Sequence, residues 1–417
     1  MKLSFAVTRL TPLALLSVGV FVACGGSSNT EINDTGGADS GASGDGSSSA
    51  DGNGVGTGTD SGGGTDAGSG TDSGGNGADG GTTCMGATPT KCGKGCVDTL
   101  TDNSNCGGCG IQCNTACAAG VCPLISPDAG APPPVGDNAC LAVDALNVYW
   151  ANGKTTPNGT VYKVPINGGT PVLVQGTLDI PHGIASDGLD VFWASNGSGE
   201  IWKAATNGTG TPTAIVNGQN KPIDIVATAL GLVWLNGGDG SIFASDKSGG
   251  NVIQVISASA VVGLHNGHLR VSGTTVYWTD TNGGAVYSSP IVKNSTATPV
   301  TSATNARFLD VDAKDIFFSA GSGATSSVNL TPLAGTTATA ILMNQAASQG
   351  VAVDGFHLYW ANGGLSASTG TINRAHKDGT GTTQLAMGQN FPGCIALDAL
   401  SVYWINENGG AISKTAK

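Results

Sequence analysis

Few side chains in this sequence suit catalysis. It has five histidines, and 11% of its 417 residues are charged. His265 and His268, with His182 elsewhere in the chain, are the raw material for proton transfer. A working base needs a partner that orients it, yet Glu is almost absent beyond the N-terminal region: Glu200 opens a short apolar run and Glu407 sits in a late Gly-rich loop. No convincing acid–base pair emerges, so no catalytic residue and no cofactor are expected. Thiols are the other reactive group. There are eleven cysteines, eight of them between Cys84 and Cys122.

The elements that must position these residues are repeats. An aromatic phrase returns seven times, as Val148-Tyr149-Trp150, Val191-Phe192-Trp193, Leu232-Val233-Trp234, Val276-Tyr277-Trp278, Ile316-Phe317-Phe318, Leu358-Tyr359-Trp360 and Val402-Tyr403-Trp404. A period of about 40–45 residues built from short strands marks a propeller blade. Each repeat reads as four strands, joined by Asn-Gly, Gly-Gly and Asp-Gly turns that supply positive φ. The spacing predicts an all-β, seven-bladed β-propeller of four-stranded antiparallel blades. The aromatics of the phrase read as packing between blades. The last repeat ends after three strands, so its fourth is absent or comes from the segment near Leu124-Ile125.

Aligning the repeats gives candidate positions. Ten residues before the last aromatic stand Cys140, Gly183, Asp224, His268, Phe308, Gly350 and Cys394. This position should start the innermost strand of each blade. The first and last repeats are neighbours in a closed ring, which predicts a Cys140–Cys394 disulfide. His182, Asp224, His268, Arg307 and Gln349 should then ring one mouth of the channel as a candidate ligand site. Asn152, Asn236, Asp280, Asn362 and Asn406 should lie at the same end. Asp144, Asp187, Asp312, Asp354 and Asp398 read as caps of the turn between first and second strands.

The N-terminal third is different. Residues 1–23 form a secretion signal, with Lys2 and Arg9 before an apolar core and Ala23 at the cut. Phe21-Val22-Ala23-Cys24-Gly25 resembles a bacterial lipobox, although Leu is usual where Phe21 stands. The resemblance implies lipidation of Cys24 and an address on the outer membrane or cell surface. Residues 24–83 are the anchor cysteine and a Gly/Ser/Thr/Asp linker too polar to fold, expected to be a disordered tether. Its recurring Thr-Asp pairs lack the apolar position and the Glu of calcium repeats, so no metal is expected. Residues 84–122 hold Cys84, Cys92, Cys96, Cys106, Cys109, Cys113, Cys117 and Cys122. Export favours disulfides over zinc-binding thiolates there, and eight cysteines allow 105 pairings. The spacing from Cys96 to Cys122 resembles a cysteine-rich module of exported proteins in Gram-negative soil bacteria, a resemblance that implies no activity for this segment. Residues 123–137 form a Pro-rich linker, and 138–417 the propeller.

Val276-Tyr277-Trp278-Thr279-Asp280 matches the YWTD phrase literally, and the other repeats keep the aromatics. The chain from 138 to 417 thus resembles the YWTD-type propellers of lipoprotein-receptor ectodomains and their bacterial relatives. Those receptor propellers have six blades, whereas seven phrases are present here. The resemblance implies binding of protein ligands across one face and no enzymatic activity. The expected function is a membrane-anchored, monomeric module that binds a protein or glycan. The alternative is a propeller lyase or hydrolase using histidines at the channel mouth. The sequence has no basic patch for nucleic acid: the net charge is −12, and no Lys or Arg lies between Leu10 and Thr90.

Overall fold

The computed structural model describes residues 22–23, 89–93, 95–125, 141–153, 158–258, 267–335 and 337–417. The sheets form seven four-stranded antiparallel blades, as the repeat count predicts. In each blade the aromatic phrase is the second strand. In blade 2, for example, Pro181–Ser186 is the inner strand, followed by Asp190–Ser195, Glu200–Ala205 and the outer strand Thr213–Val216. The inner strands of the other blades are Leu141–Val143 in blade 1, Pro222–Ala227 in blade 3 and Leu269–Ser272 in blade 4. They are Leu309–Val311, Ser348–Val353 and Pro392–Leu397 in blades 5, 6 and 7. Each inner strand packs against the next, and that of blade 7 packs against that of blade 1, so the ring closes. Val22–Ala23, at the end of the predicted signal, pairs with the free edge of Leu141–Val143. It touches the inner strands of blades 2, 6 and 7 as well.

The aromatic phrase is core in every blade. Trp150, Trp193, Trp234, Trp278, Trp360 and Trp404 are all fully buried. In blades 1 to 4 each tryptophan stacks on its cross-strand neighbour in the third strand. The pairs are Trp150 with Tyr162, Trp193 with Trp202, Trp234 with Phe243 and Trp278 with Tyr287, at centroid distances of 5.6–5.9 Å. Such offset stacks add to the burial of the rings themselves.

The outer strand of blade 7 is Cys122–Ile125, which pairs antiparallel with Ile412–Ala416. Blade 7 is therefore completed by a strand from the segment that precedes blade 1 in sequence. The segment near Leu124-Ile125 thus supplies the fourth strand of the last repeat, one of the two outcomes the repeat pattern left open. That strand begins at Cys122 and runs through the first residues after the cysteine-rich segment. The Cys113–Cys122 disulfide joins the module to the blade strand. Cys106, Cys113, Cys117 and Cys122 share one apolar cluster with Leu124, Trp150, Tyr403 and Ile412. Further disulfides link Cys92 with Cys109 and Cys106 with Cys117. Cys96 is also disulfide-bonded. Its partner lies outside the described residues, as do Cys24, Cys84 and Cys140.

Candidate functional site

The aligned strand-start position runs round the channel as a suture between blades. Because each inner strand meets the next, a side chain at its start reaches its neighbour's backbone. His182 Nδ1 of blade 2 lies 2.8 Å from the Ile223 carbonyl of blade 3. Asp224 of blade 3 accepts the peptide N–H of Leu269 in blade 4 at 2.9 Å. Its carboxylate also lies 3.4 Å from His268 Nδ1. His268 stacks on Phe308 of blade 5, with ring centroids 4.4 Å apart. Arg307 donates to Gln349 Oε1 of blade 6 at 3.4 Å. Gly350 leaves no room for a side chain against Gly393 and Cys394 of blade 7. The Cys394 sulfur hydrogen-bonds the backbone of Leu141 in blade 1.

That last contact corrects a prediction. The neighbourhood of the first and last repeats is as expected, but Cys394 carries a free, buried thiol. The expected bridge to Cys140, which lies outside the described residues, is therefore not formed. Burial pushes the Cys394 thiol far above its ordinary range, so it is inert as a nucleophile.

The suture separates the five predicted site residues into two groups. Asp224 and His268 are buried, 0% and 3% exposed, and committed to neighbouring blades. His182, Arg307 and Gln349 remain partly exposed. Burial lowers the His182 pKa to about 4, against the opposing pull of Asp224. Its imidazole is therefore neutral at pH 7. With Nδ1–H donated to the Ile223 carbonyl, Nε2 is left as an acceptor. Burial lowers the pKa of Arg307, while Glu407 pulls it upward. The mouth thus offers one neutral acceptor, one cation and one amide, with a carboxylate near the cation.

Two charged residues of this layer were missed. Arg270 Nε lies 3.6 Å from Asp310 Oδ1, and Arg270 NH1 lies 3.9 Å from Asp224 Oδ2. Asp310 also accepts the peptide N–H of Val353 in blade 6 at 2.8 Å. Burial raises the Asp310 pKa to about 6, opposed by Arg270. The signal was present two residues along the same alignment. Eight before the last aromatic stand Ala142, Ala185, Val226, Arg270, Asp310, Ala352 and Ala396, so two charges interrupt an otherwise small apolar register.

The Asn set lies at the predicted end of the blades: Asn236, Asn362 and Asn406 pair with Pro222, Ser348 and Pro392 at the inner-strand starts. Its role there is structural. Gln389 Oε1 accepts from Trp404 Nε1 at 2.8 Å and from Asn406 Nδ2 at 3.1 Å. Gln219 clamps Trp234 and Asn236 in the same way, and Gln345 clamps Trp360 and Asn362. In blade 2 the equivalent residue is Leu178, and the Trp193 indole N–H has no partner. The Asp set caps turns. Asp144 accepts the N–H groups of Leu146 and Asn147 and the Tyr149 hydroxyl, all at 2.8 Å. Among the described residues no cluster of three or more His, Cys, Asp or Glu could hold a metal.

No protein-family model matches the chain, and no curated protein matches it. Solved structures show similarity of fold. Virginiamycin B lyase from Staphylococcus aureus is 14% identical, with a TM-score of 0.53 over 68% of this chain and 94% of that one. A catalytically inactive histidine-to-alanine variant of that lyase, solved with quinupristin, is 13% identical, with a TM-score of 0.50 over 71% and 99%. YCF48 bound to D1 peptide is 13% identical, with a TM-score of 0.51 over 66% and 89%. At these identities the likeness is one of propeller architecture.

Proposed function

We propose that the chain is an exported, lipid-anchored binding module that takes a protein or glycan ligand at the channel mouth. One observation carries the reading. The buried His–Asp pair of the inner layer, His268 and Asp224, is spent on joining blades, whereas His182, Arg307 and Gln349 stay partly exposed as hydrogen-bonding groups. A neutral acceptor on one side of the mouth, with a guanidinium and an amide across the ring from it, suits hydroxyl, amide or carboxylate groups of a ligand. Disulfides in the cysteine-rich segment fit an oxidising compartment. The anchor is lipidated Cys24, residues 24–83 are its tether, and the address is the outer membrane or cell surface. The module acts as a monomer.

The test is thermal-shift screening of the full chain against peptides, glycans and cell-envelope fractions, with Arg307→Ala and Gln349→Ala run alongside. A ligand-induced shift that both variants lose supports the mouth as the site. Turnover of a ligand, lost in His182→Ala, would replace this reading with the lyase.

A further inference from the structure

The face opposite the channel mouth carries an apolar ring that the binding reading leaves unused. Each inner strand runs from the mouth to a tight turn at the far face, and the third residue of that turn projects outward. In five blades it is a large apolar residue. Leu146 is 72% exposed, Leu189 77%, Leu230 72%, Phe356 81% and Leu400 62%. Blades 4 and 5 carry Thr274 and Lys314 there. Single exposed apolar residues need no explanation, but the same exposure at the same turn in five of seven blades does.

Three of the turn carboxylates of this face are held in ion pairs. Asp187 pairs with Lys247, Asp312 with Lys377 and Asp354 with Lys417. Asp398 is turned onto the N–H groups of Leu400 and Ser401 and the Tyr403 hydroxyl, as Asp144 is in blade 1. Between blades 3 and 4, beside Leu230, a cleft of about 340 Å³ has Leu232, Val233, Ile253 and Ile291 in its wall.

The occupant follows from the shape of the ring. The tips stand apart, one to a blade, on convex turns. A second rigid face would meet them only at their ends, and five separated side chains offer roughly a few hundred Å², short of the about 800 Å² per partner of a standard interface. The Gly/Ser/Thr/Asp segment of this chain has almost no apolar side chain to cover them. A lipid surface closes round each tip separately, accepts an uncharged apolar ring and places Lys314 among its headgroups. We propose that this face docks flat on a lipid bilayer. The five tips enter the boundary between headgroups and acyl chains, and the mouth of the channel faces the water. The proposal does not depend on what the mouth binds.

The test uses the full chain carrying Cys24→Ala, so that no covalent lipid contributes. Single tryptophans are introduced at two tips, Leu189→Trp and Phe356→Trp, and at the mouth face, Asn196→Trp. The six tryptophans of the aromatic phrase are fully buried, and together with the partly buried Trp202 they give a background that is recorded on the Cys24→Ala chain without an added tryptophan. Vesicles of phosphatidylethanolamine and phosphatidylglycerol carry bromine on their acyl chains. The expected result is loss of most of the added emission from Trp at the two tips and none at position 196. Unquenched tips, or equal quenching at all three positions, would overturn the proposal. So would a concentration-dependent dimer that is abolished by Ser at all five tips, which would assign the ring to a second copy.

Discussion

Replacing His182 with Gln should change how stability responds to acid. The imidazole is held near a pKa of 4, against 6.5 for the free side chain, chiefly because burial disfavours its charged form. Between pH 6.5 and 4 the unfolded chain therefore binds a proton that the folded chain refuses, and acid favours unfolding. A shift of about 2.5 units corresponds to roughly 3 kcal/mol, accumulated as pH falls through that window. Gln preserves the donor to the Ile223 carbonyl and cannot titrate. The stability difference between variant and native chain should therefore move by about 3 kcal/mol in favour of the variant from pH 7 to pH 4. Denaturant unfolding of both chains at several pH values measures it, and the other titrating groups cancel in the difference. Asp310 works in the opposite direction. Its pKa is raised from 3.8 to about 6, so its contribution falls as pH rises through that interval. The native chain should therefore show a flatter profile than either group alone would give. A difference between variant and native chain that stayed constant from pH 7 to 4 would refute the idea that His182 is held neutral by the blade junction.

Gln389→Ala should cost about 2–3 kcal/mol, because it leaves the buried indole N–H of Trp404 and the amide of Asn406 without an acceptor. Chemical denaturation measures this, and a loss under about 0.5 kcal/mol would show that water replaces the clamp. Serine at both Cys113 and Cys122 opens a short loop and should cost about 2–3 kcal/mol in the chain-entropy model. Unfolding midpoints under non-reducing conditions test it. A chain begun at Asp137 lacks Cys122–Ile125 and bares the edge of Ile412–Ala416. It should unfold at lower denaturant than the full chain and self-associate through that edge, whereas equal midpoints would show that three strands suffice for blade 7.

The architecture was legible because it is periodic. Seven aromatic phrases can be buried only if seven sheets stack, and one residue type at one register implies one place in every blade. The same logic located the capping aspartates and the neighbourhood of Cys394 and Leu141. It fell short at the strand starts, where two adjacent registers carry two jobs. His182 stands one residue earlier in the alignment than Asp224 and His268; all three side chains reach the next blade, but only His182 keeps access to solvent, which the spacing alone does not display. Arg270 and Asp310 were overlooked because only the first inner-strand position was compared across repeats. The outer strand of blade 7 was half legible: the missing strand could be counted, but its union with the cysteine-rich segment through Cys113–Cys122 depends on a pairing that spacing leaves open.

The two polar layers of the ring differ in what they can tolerate. Along the suture each group has a partner in the next blade, in one rotational sense: His182 with Ile223, Asp224 with Leu269, His268 with Phe308 and Cys394 with Leu141. Removing one member leaves a buried group without its partner, so substitutions there should register as stability. Arg307 and Gln349 join blades 5 and 6 through a single long hydrogen bond at the edge of solvent. Water can replace that bond, so substitutions there should register in ligand binding with little change in folding. The ring thus separates residues that hold the propeller shut from residues free to change with a ligand, with His182 tied to the next blade through Nδ1 and open to a ligand through Nε2, and the two kinds occupy adjacent positions at the strand starts.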